Sequence, residues 1–349
     1  MLCSHIKSGR YMAEDHLSNE TSVSAELTDT GVKAAAKSRA VAAIDRLAGN
    51  IADLGNSWLE SINIRRRAKS EGERQLIEAT ARYGIERLQI DEAFANRAFE
   101  NHFKKIAGQQ VNKDAVVTEA IDDLRRTPPT DDEAPAGPAA VSEEFMSRFE
   151  HFAEAATSEE LRERWGRVLA GEIRKPGTFS PKVLRATDEL DREAAALFES
   201  LMPYRVRDLL VISIMPELSF EEKLLLVSAG LIVEPGTSGH RNTFGTIKVK
   251  GEEEAWASSF GSLTLSFPKS VSVSHKNSEI ISLARQEPAF GVYILTDVGR
   301  ALSSILPFNE IQVGVEYAKR LITEIPAANI SFWQQYEPGQ YARIPSPLA

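Results

Sequence analysis

Cysteine is almost missing from this chain: Cys3 is the only one in 349 residues. That excludes an internal disulfide framework and fits a reducing compartment. Long apolar runs are missing too. No stretch approaches the roughly 18 apolar residues that would mark a membrane span, and the N-terminus has no apolar signal-peptide core. No membrane partner is therefore expected, and the cytoplasm is the expected location. Met12 is an alternative start, which would leave residues 1–11 outside the fold. Positive charge is in deficit. Lys and Arg total 41 against 50 Asp and Glu, a formal net charge of −9. This argues against a whole-surface affinity for nucleic acid and leaves only a local basic patch to consider.

Motifs of the common chemistries are absent as well. The six histidines show no H-x-x-x-H spacing, and no cysteine accompanies them, so no metal site is predicted. There is no G-x-x-x-x-G-K-[ST] phosphate loop, no G-x-G-x-x-G after a strand and no G-x-S-x-G elbow. The nearest thing to a reactive loop is Gly236-Thr237-Ser238-Gly239-His240 with Arg241, and a hairpin connection accounts for it. The carboxylate pairs Asp122-Asp123 and Asp131-Asp132 fall in a surface helix and a linker. No catalytic residue and no cofactor is predicted. Sites assemble in space, so missing motifs only lower the odds of an enzyme.

What is present is helix. The most organised stretch runs from Glu163 to Ser180. A helix is expected to open at Thr157, with Glu160 at capping-box spacing. Leu161, Trp165, Val168, Leu169 and Ile173 then recur at three- and four-residue steps and share one face. Pro176 stops the hydrogen-bond ladder and forces Lys175 out of the helical region. Gly177 allows a left-handed turn. Ser180-Pro181 reads as an N-cap and first helical position, and Asp191 as the N-cap of the next helix.

Upstream, residues 1–30 lack periodicity and read as a disordered tail. Residues 31–126 read as a helical arm. Val41, Ile44, Leu47, Ile51, Leu54 and Trp58 mark a first helix over 32–59. A stripe from Leu76 through Phe94, Phe99, Phe103 and Ile106 marks a long helix over 64–108, and Val116, Ile121 and Leu124 mark a further helix over 109–126. A helix from Glu71 to Ala107 would be roughly 55 Å long. That exceeds what one small core covers, so a hairpin or self-association seam of coiled-coil type is expected, without a clean heptad. The Pro- and acid-rich segment 127–141 reads as a linker, and 142–203 as a central helical module capped by Ser142. Residues 204–349 change character. Ser219-Phe220-Glu221-Glu222 is a capping box, its helix ends at Gly230, and Leu231–Val233 starts a strand. Alternation marks strands at 246–250, 263–267, 271–273 and 293–295, and Thr296 caps a helix. A helix around 316–323 and a strand at 330–333 precede a Pro-rich tail. The fold class expected is mainly α with a C-terminal α+β module.

The run Trp165-x-x-Val168-Leu169-Ala170-Gly171-Glu172, continued by Pro176-Gly177-Thr178-Phe179-Ser180, resembles the core of an uncharacterised bacterial family, DUF2806. The close match covers residues 142–202, with Leu190-Asp191 and Ala195-x-x-Phe198 continuing it. More loosely, the module is similar to abortive-infection alpha proteins of phage defence. The resemblance implies a helical fold and no particular activity. The order helix, strand, Leu295-Thr296-x-x-Gly299-x-x-Leu302 is similar to winged-helix modules, in which a helix and a β-ribbon contact DNA; the insert between Leu231 and Tyr293 is longer than an ordinary wing.

Two groups of binding residues are expected. Arg65, Arg66, Arg67 and Lys69 form the most basic run; they either grip phosphate or an acidic partner, or are the solvated start of a helix. Trp165 and Glu172 either line a pocket at the Pro-Gly turn, or serve as a core anchor and a carboxylate bonded to the amides of that turn. The function expected is a non-enzymatic cytosolic interaction or assembly protein. It would associate with itself or with a protein partner through the helical arm, and the looser resemblance implies a phage-defence or mobile-element setting. A winged-helix nucleic-acid-binding regulator is the alternative, and an unrecognised hydrolase or nuclease a third.

Overall fold

The computed structural model describes residues 34–48, 92–130, 140–248, 253–273, 279–337 and 339–348. Two compact units divide at Thr178/Phe179. The described part of the first unit is helical: α1 (Ala34–Ala48), α2 (Glu92–Arg126), α3 (Glu143–Ala155) and α4 (Glu159–Arg174). Helices α2 and α4 make the most extensive contact, and α1 and α3 pack on both. Gly166 explains the closeness of α2 and α4. A Cβ at that position would stand 2.4 Å from the Glu119 Cβ, so only glycine lets the two backbones approach.

The core of this unit is built as the periodicity predicts. Trp165, Val168, Leu169 and Ile173 are all buried. Trp165 stacks on Phe152 with ring centroids 4.8 Å apart and meets Phe149 edge-on at 5.9 Å. Helix α1 contributes Ala36, Ala40, Ala43, Ile44 and Leu47. Ser142 caps α3 by accepting from the Phe145 amide. The cap of α4 is Ser158, which accepts from the Leu161 amide, one residue later than the Thr157 box expected from spacing. Both residues can cap; the one that adopts the extended backbone is selected by the preceding turn, where the Thr157 amide bonds to the Ala155 carbonyl.

Helix α2 also differs from expectation. It runs unbroken through Gly108, where a boundary between two helices was expected. A lone glycine costs only about 1 kcal/mol relative to alanine, less than the contacts that α2 gains further along. Its described residues before Gln109 are exposed, including Ile106 from the apolar stripe. The other residues of the long helix expected before Glu92, and the segment 49–91 generally, lie outside the described residues.

The second unit is α+β. Helices α5 (Pro181–Asp188) and α6 (Arg192–Ser200) lead into strands β1 (Arg205–Val206) and β2 (Leu209–Val211), then α7 (Phe220–Ser228). Strands β3 (His240–Thr243), β4 (Gly245–Ile247), β5 (Ala255–Phe260), β6 (Leu263–Pro268), β7 (Ser282–Ala284) and β8 (Glu287–Ile294) follow. Helices α8 (Asp297–Ser303) and α9 (Glu310–Leu321) and the strands β9 (Ser331–Glu337) and β10 (Gln340–Ile344) complete it. Two antiparallel sheets result. One is ordered β1-β2-β8-β3, with β7 also on β8; the other is β10-β9-β6-β5-β4. Phe244, Phe260, Phe267, Phe290 and Tyr317 form the aromatic centre of a core to which both sheets and α9 contribute.

Several expectations hold here. Ser180 caps α5 with Pro181 in its first turn. Ser219 and Glu222 form a reciprocal capping box on α7. Thr296 caps α8 through the Gly299 amide. Asp191 occupies the N-cap of α6 without a side-chain cap bond. Others do not hold. Leu231–Val233 makes only an isolated bridge, Ile232 to Leu295, because the Thr296 amide and hydroxyl engage the carbonyls of Gly230 and Leu231. Val271–Val273 forms no strand. The hairpin connection expected at Gly236–His240 and Arg241 gives way to β3 at His240. Strand β5 was not foreseen, since Ala-Trp-Ala-Ser-Ser-Phe carries little alternation, and β10 lies in the supposed Pro-rich tail.

The Leu-Thr-x-x-Gly sequence has a direct structural reason. A Cβ on Gly299 would lie 2.0 Å from the Leu231 carbonyl oxygen. The first turn of α8 therefore rests directly on the backbone that leaves α7, and the threonine two residues past β8 ties the same carbonyls.

Candidate functional site

A concavity lies in the second unit, against the face of the β2-β8-β3 sheet opposite the aromatic core. Side chains alternate along β8. Phe290 and Val292 enter the core, while Gly291 and Tyr293 line a cavity of about 750 Å³. Gly291 leaves the floor low; a side chain there would meet Glu279 and Ile212 at ordinary contact distance, 3.6 Å. Arg241, paired with Gly291 across β3 and β8, also lines it, and its Nη1 donates to Ser282 Oγ at 2.7 Å.

One wall is α7. The capping box fixes where the helix begins, and so fixes which side chains face outward. Phe220, Leu224 and Val227 fall at i, i+4 and i+7 on the cavity side. Phe220 is 75% and Leu224 55% exposed, whereas Leu226 on the opposite side is fully buried. Two large apolar side chains a turn apart, both open to water, form an apolar stripe rather than isolated surface residues. The opposite wall is Glu234–Gly239. Gly236 and Gly239 sit at φ 59° and 66°, the left-handed region that lets this loop turn twice. His240 Nε2 lies 3.0 Å from the Glu234 carbonyl oxygen and closes the loop's base.

The polar groups here are largely uncommitted. Tyr293 is only 6% exposed, yet among the described residues its hydroxyl makes no hydrogen bond. Its pKa is raised, first by burial and then by the charges of Glu279 and Glu217. The carboxylates of Glu234 and Glu279 and the Lys223 ammonium likewise have no hydrogen-bond or ion-pair partner among the described residues. Such a cleft, apolar with a few convergent polar groups, has the size and make-up of a binding site.

The binding residues expected from sequence lie elsewhere. Arg65, Arg66, Arg67 and Lys69 are outside the described residues. Trp165 and Glu172 belong to the first unit and are 1% and 2% exposed. Glu172 Oε1 accepts from the Gly177 amide at 2.6 Å, closing the turn after α4. Around it lies a buried ionic cluster. Arg174 donates to the Thr127 carbonyl at 2.9 Å and pairs with Asp123, and Arg39 Nη2 donates to the Arg174 carbonyl at 3.3 Å. Burial lowers the pKa of Arg39, and the Glu172 charge opposes that shift. The two buried carboxylates, Asp123 and Glu172, thus hold α2, α4 and the following turn in place. Among the described residues no group of three or more His, Cys, Asp or Glu is arranged to hold a metal, and no described helix is long and apolar enough to cross a membrane.

Residues 96–208 match the model of a family described as protein of unknown function (DUF2806). Over this segment, about a third of the chain, the sequence is similar to the DUF2806 family. No curated protein and no solved structure matches the chain. The DUF2806 segment runs from the early turns of α2 to the β1–β2 turn. It contains Trp165, Glu172 and Gly166, and it ends at Asp208, before the first cavity residue, Ile212. The cavity therefore belongs to the part of the chain that follows the DUF2806 match. Its signals in the sequence were the capping box at Ser219, which sets the phase of α7 and aligns Phe220 with Leu224, and the loop Gly236–Arg241. The other members, Ile212, Glu279 and the β8 residues Gly291 and Tyr293, come from three further segments that only the fold brings together.

Proposed function

We propose that this chain is a non-enzymatic cytosolic interaction protein whose C-terminal unit docks a partner polypeptide on the α7 face and the adjoining cavity. The observation that carries this reading is the outward stripe of Phe220 and Leu224 beside a cleft whose Tyr293 hydroxyl makes no hydrogen bond among the described residues. Exposing these two side chains costs burial free energy that a partner's apolar surface would recover. The commitment of Asp123 and Glu172 to Arg174 and the Gly177 amide also supports a structural use of the buried carboxylates.

The winged-helix alternative would present α7 to DNA, since α7 precedes the Leu-Thr-x-x-Gly element. Its exposed residues include Phe220, Glu221 and Leu224. Apolar and acidic groups at that position disfavour phosphate contact. A photo-crosslinking amino acid placed at Leu224 tests the reading in cells. A discrete protein adduct that disappears with Phe220→Ser supports it. Adducts with nucleic acid, or adducts indifferent to Phe220→Ser, overturn it.

A further inference from the structure

The charge around the cleft narrows the partner. Resting on the docking role above, we infer that the occupant is a polypeptide segment carrying Lys or Arg beside large apolar residues. Glu234 and Glu279 line the cleft, and the charge of Glu217 also acts on its Tyr293. Against these three carboxylates stand Lys223 and Arg241, and Arg241 is already held by Ser282 Oγ. Three negative and two positive charges leave a local excess of one negative charge. The excess sits beside two aromatic rings, Phe220 and Tyr293. Carboxylates next to aromatic faces are the combination that a cationic side chain satisfies twice, by ion pairing and by cation–π contact. The apolar stripe of Phe220 and Leu224 takes the segment's large aliphatic or aromatic residues.

Electrostatic complementarity of this kind sets specificity and association rate, and it weakens with salt. A pure apolar partner would gain nothing from the carboxylates, and an acidic one would be repelled by them. A nucleic-acid backbone would meet the same repulsion.

The test uses the full chain and three fluorescein-labelled ten-residue peptides that alternate leucine with lysine, leucine with glutamate, and serine with lysine. Fluorescence anisotropy reads the binding. The leucine–lysine peptide is expected to bind at least tenfold more tightly than either of the others, and to weaken at least tenfold in Phe220→Ser and in the double variant Glu234→Lys, Glu279→Lys. A double control, Glu143→Lys with Glu144→Lys, changes net charge equally on the exposed start of α3 and is expected to leave binding unchanged. Circular dichroism of each variant confirms that it is folded; Phe220 and the four glutamates are solvent-facing, so folding should be unaffected. Equal binding of the lysine and glutamate peptides, both lost with Phe220→Ser, would overturn the charge inference while leaving the docking role in place. Binding of the leucine–lysine peptide that falls equally in the α3 control, or no binding of it at all, would overturn the charge inference. Binding of a labelled DNA duplex that Phe220→Ser abolishes would overturn both.

Discussion

Replacing Gly299 by alanine should loosen the second unit sharply, even though alanine is the better helix former. The new Cβ would lie 2.0 Å from the Leu231 oxygen and 3.0 Å from its carbonyl carbon. Carbon–oxygen contacts normally settle near 3.3–3.6 Å, so the seam must open by about 1.3 Å. That movement overpacks a well-filled site, at about 1–3 kcal/mol. It also pulls on two bonds that cross the same seam, from the Thr296 amide to the Leu231 carbonyl at 3.1 Å and from the Thr296 hydroxyl to the Gly230 carbonyl. Losing both adds about 1–3 kcal/mol. Alanine's intrinsic helical advantage returns about 1 kcal/mol. The expected net loss is about 1–5 kcal/mol, centred near 3, or roughly 6–12 °C in the melting of a unit of this size. The matched comparison is Gly108→Ala, also a helical glycine, where a Cβ meets nothing within 4 Å. There the same substitution should stabilise by about 0.5–1 kcal/mol. Urea titration followed by hydrogen exchange over residues 226–233 and 293–302 reads the first variant; exchange over α2 reads the second. If Gly299→Ala melted within a degree of the parent, the close approach of α8 to the Leu231 backbone would be wrong.

Trp165→Ala should cost about 3–5 kcal/mol, because the ring is 1% exposed and stacks on Phe152; a thermal melt shifted by less than a degree would place the ring at the surface. Tyr317 should make the protein alkali-sensitive. Burial raises its pKa well above the ordinary tyrosine value, and its hydroxyl donates to the Ile280 carbonyl at 2.7 Å. Its folded pKa exceeds its unfolded value, so this contribution is complete below about pH 10 and is lost as pH rises through the folded pKa. Tyr317→Phe should cost about 1 kcal/mol at pH 7 and flatten the fall in stability above pH 10; an unchanged alkaline slope would show that Tyr317 does not titrate on unfolding. Ser219→Ala removes one arm of the capping box on α7 and should cost about 1 kcal/mol, with faster exchange of the Glu222 amide; unaltered exchange would show that the cap is not formed in solution.

Caps and stops were the most legible parts of this chain. Ser142, Ser180, Ser219 and Thr296 were each identified as helix starts, because a hydroxyl three residues before an orphan amide is a local device. The Trp165 face was legible for a similar reason: its apolar residues recur at the helical period. Local signals failed where a distant contact decided. Helix α2 passes through Gly108 because both of its halves favour helix and its second half packs on α4. Thr157 and Ser158 are equivalent in propensity, and the preceding turn selects between them. Strand β5 has alanine and serine where alternation would need contrast, and it forms because β4 and β6 pair on either side. The cleft was the least legible feature. Its walls, α7 and the Glu234–Gly239 loop, are neighbours in the chain, but its floor, β8, is separated from them by β3 to β7.

Helix α2 has a mechanical consequence. From Gln109 onward it is tied down, by Gln109 to Glu154, Gln110 to the Leu47 carbonyl and Asn112 to the Glu154 carbonyl. The 17 residues from Glu92 to Gly108 continue the same helix past those ties, a stretch of about 25 Å at 1.5 Å per residue. A continuous helix carries a load along its axis without a hinge, so a force applied near Glu92 reaches the Glu154 and Leu47 ties and the seam with α4 together.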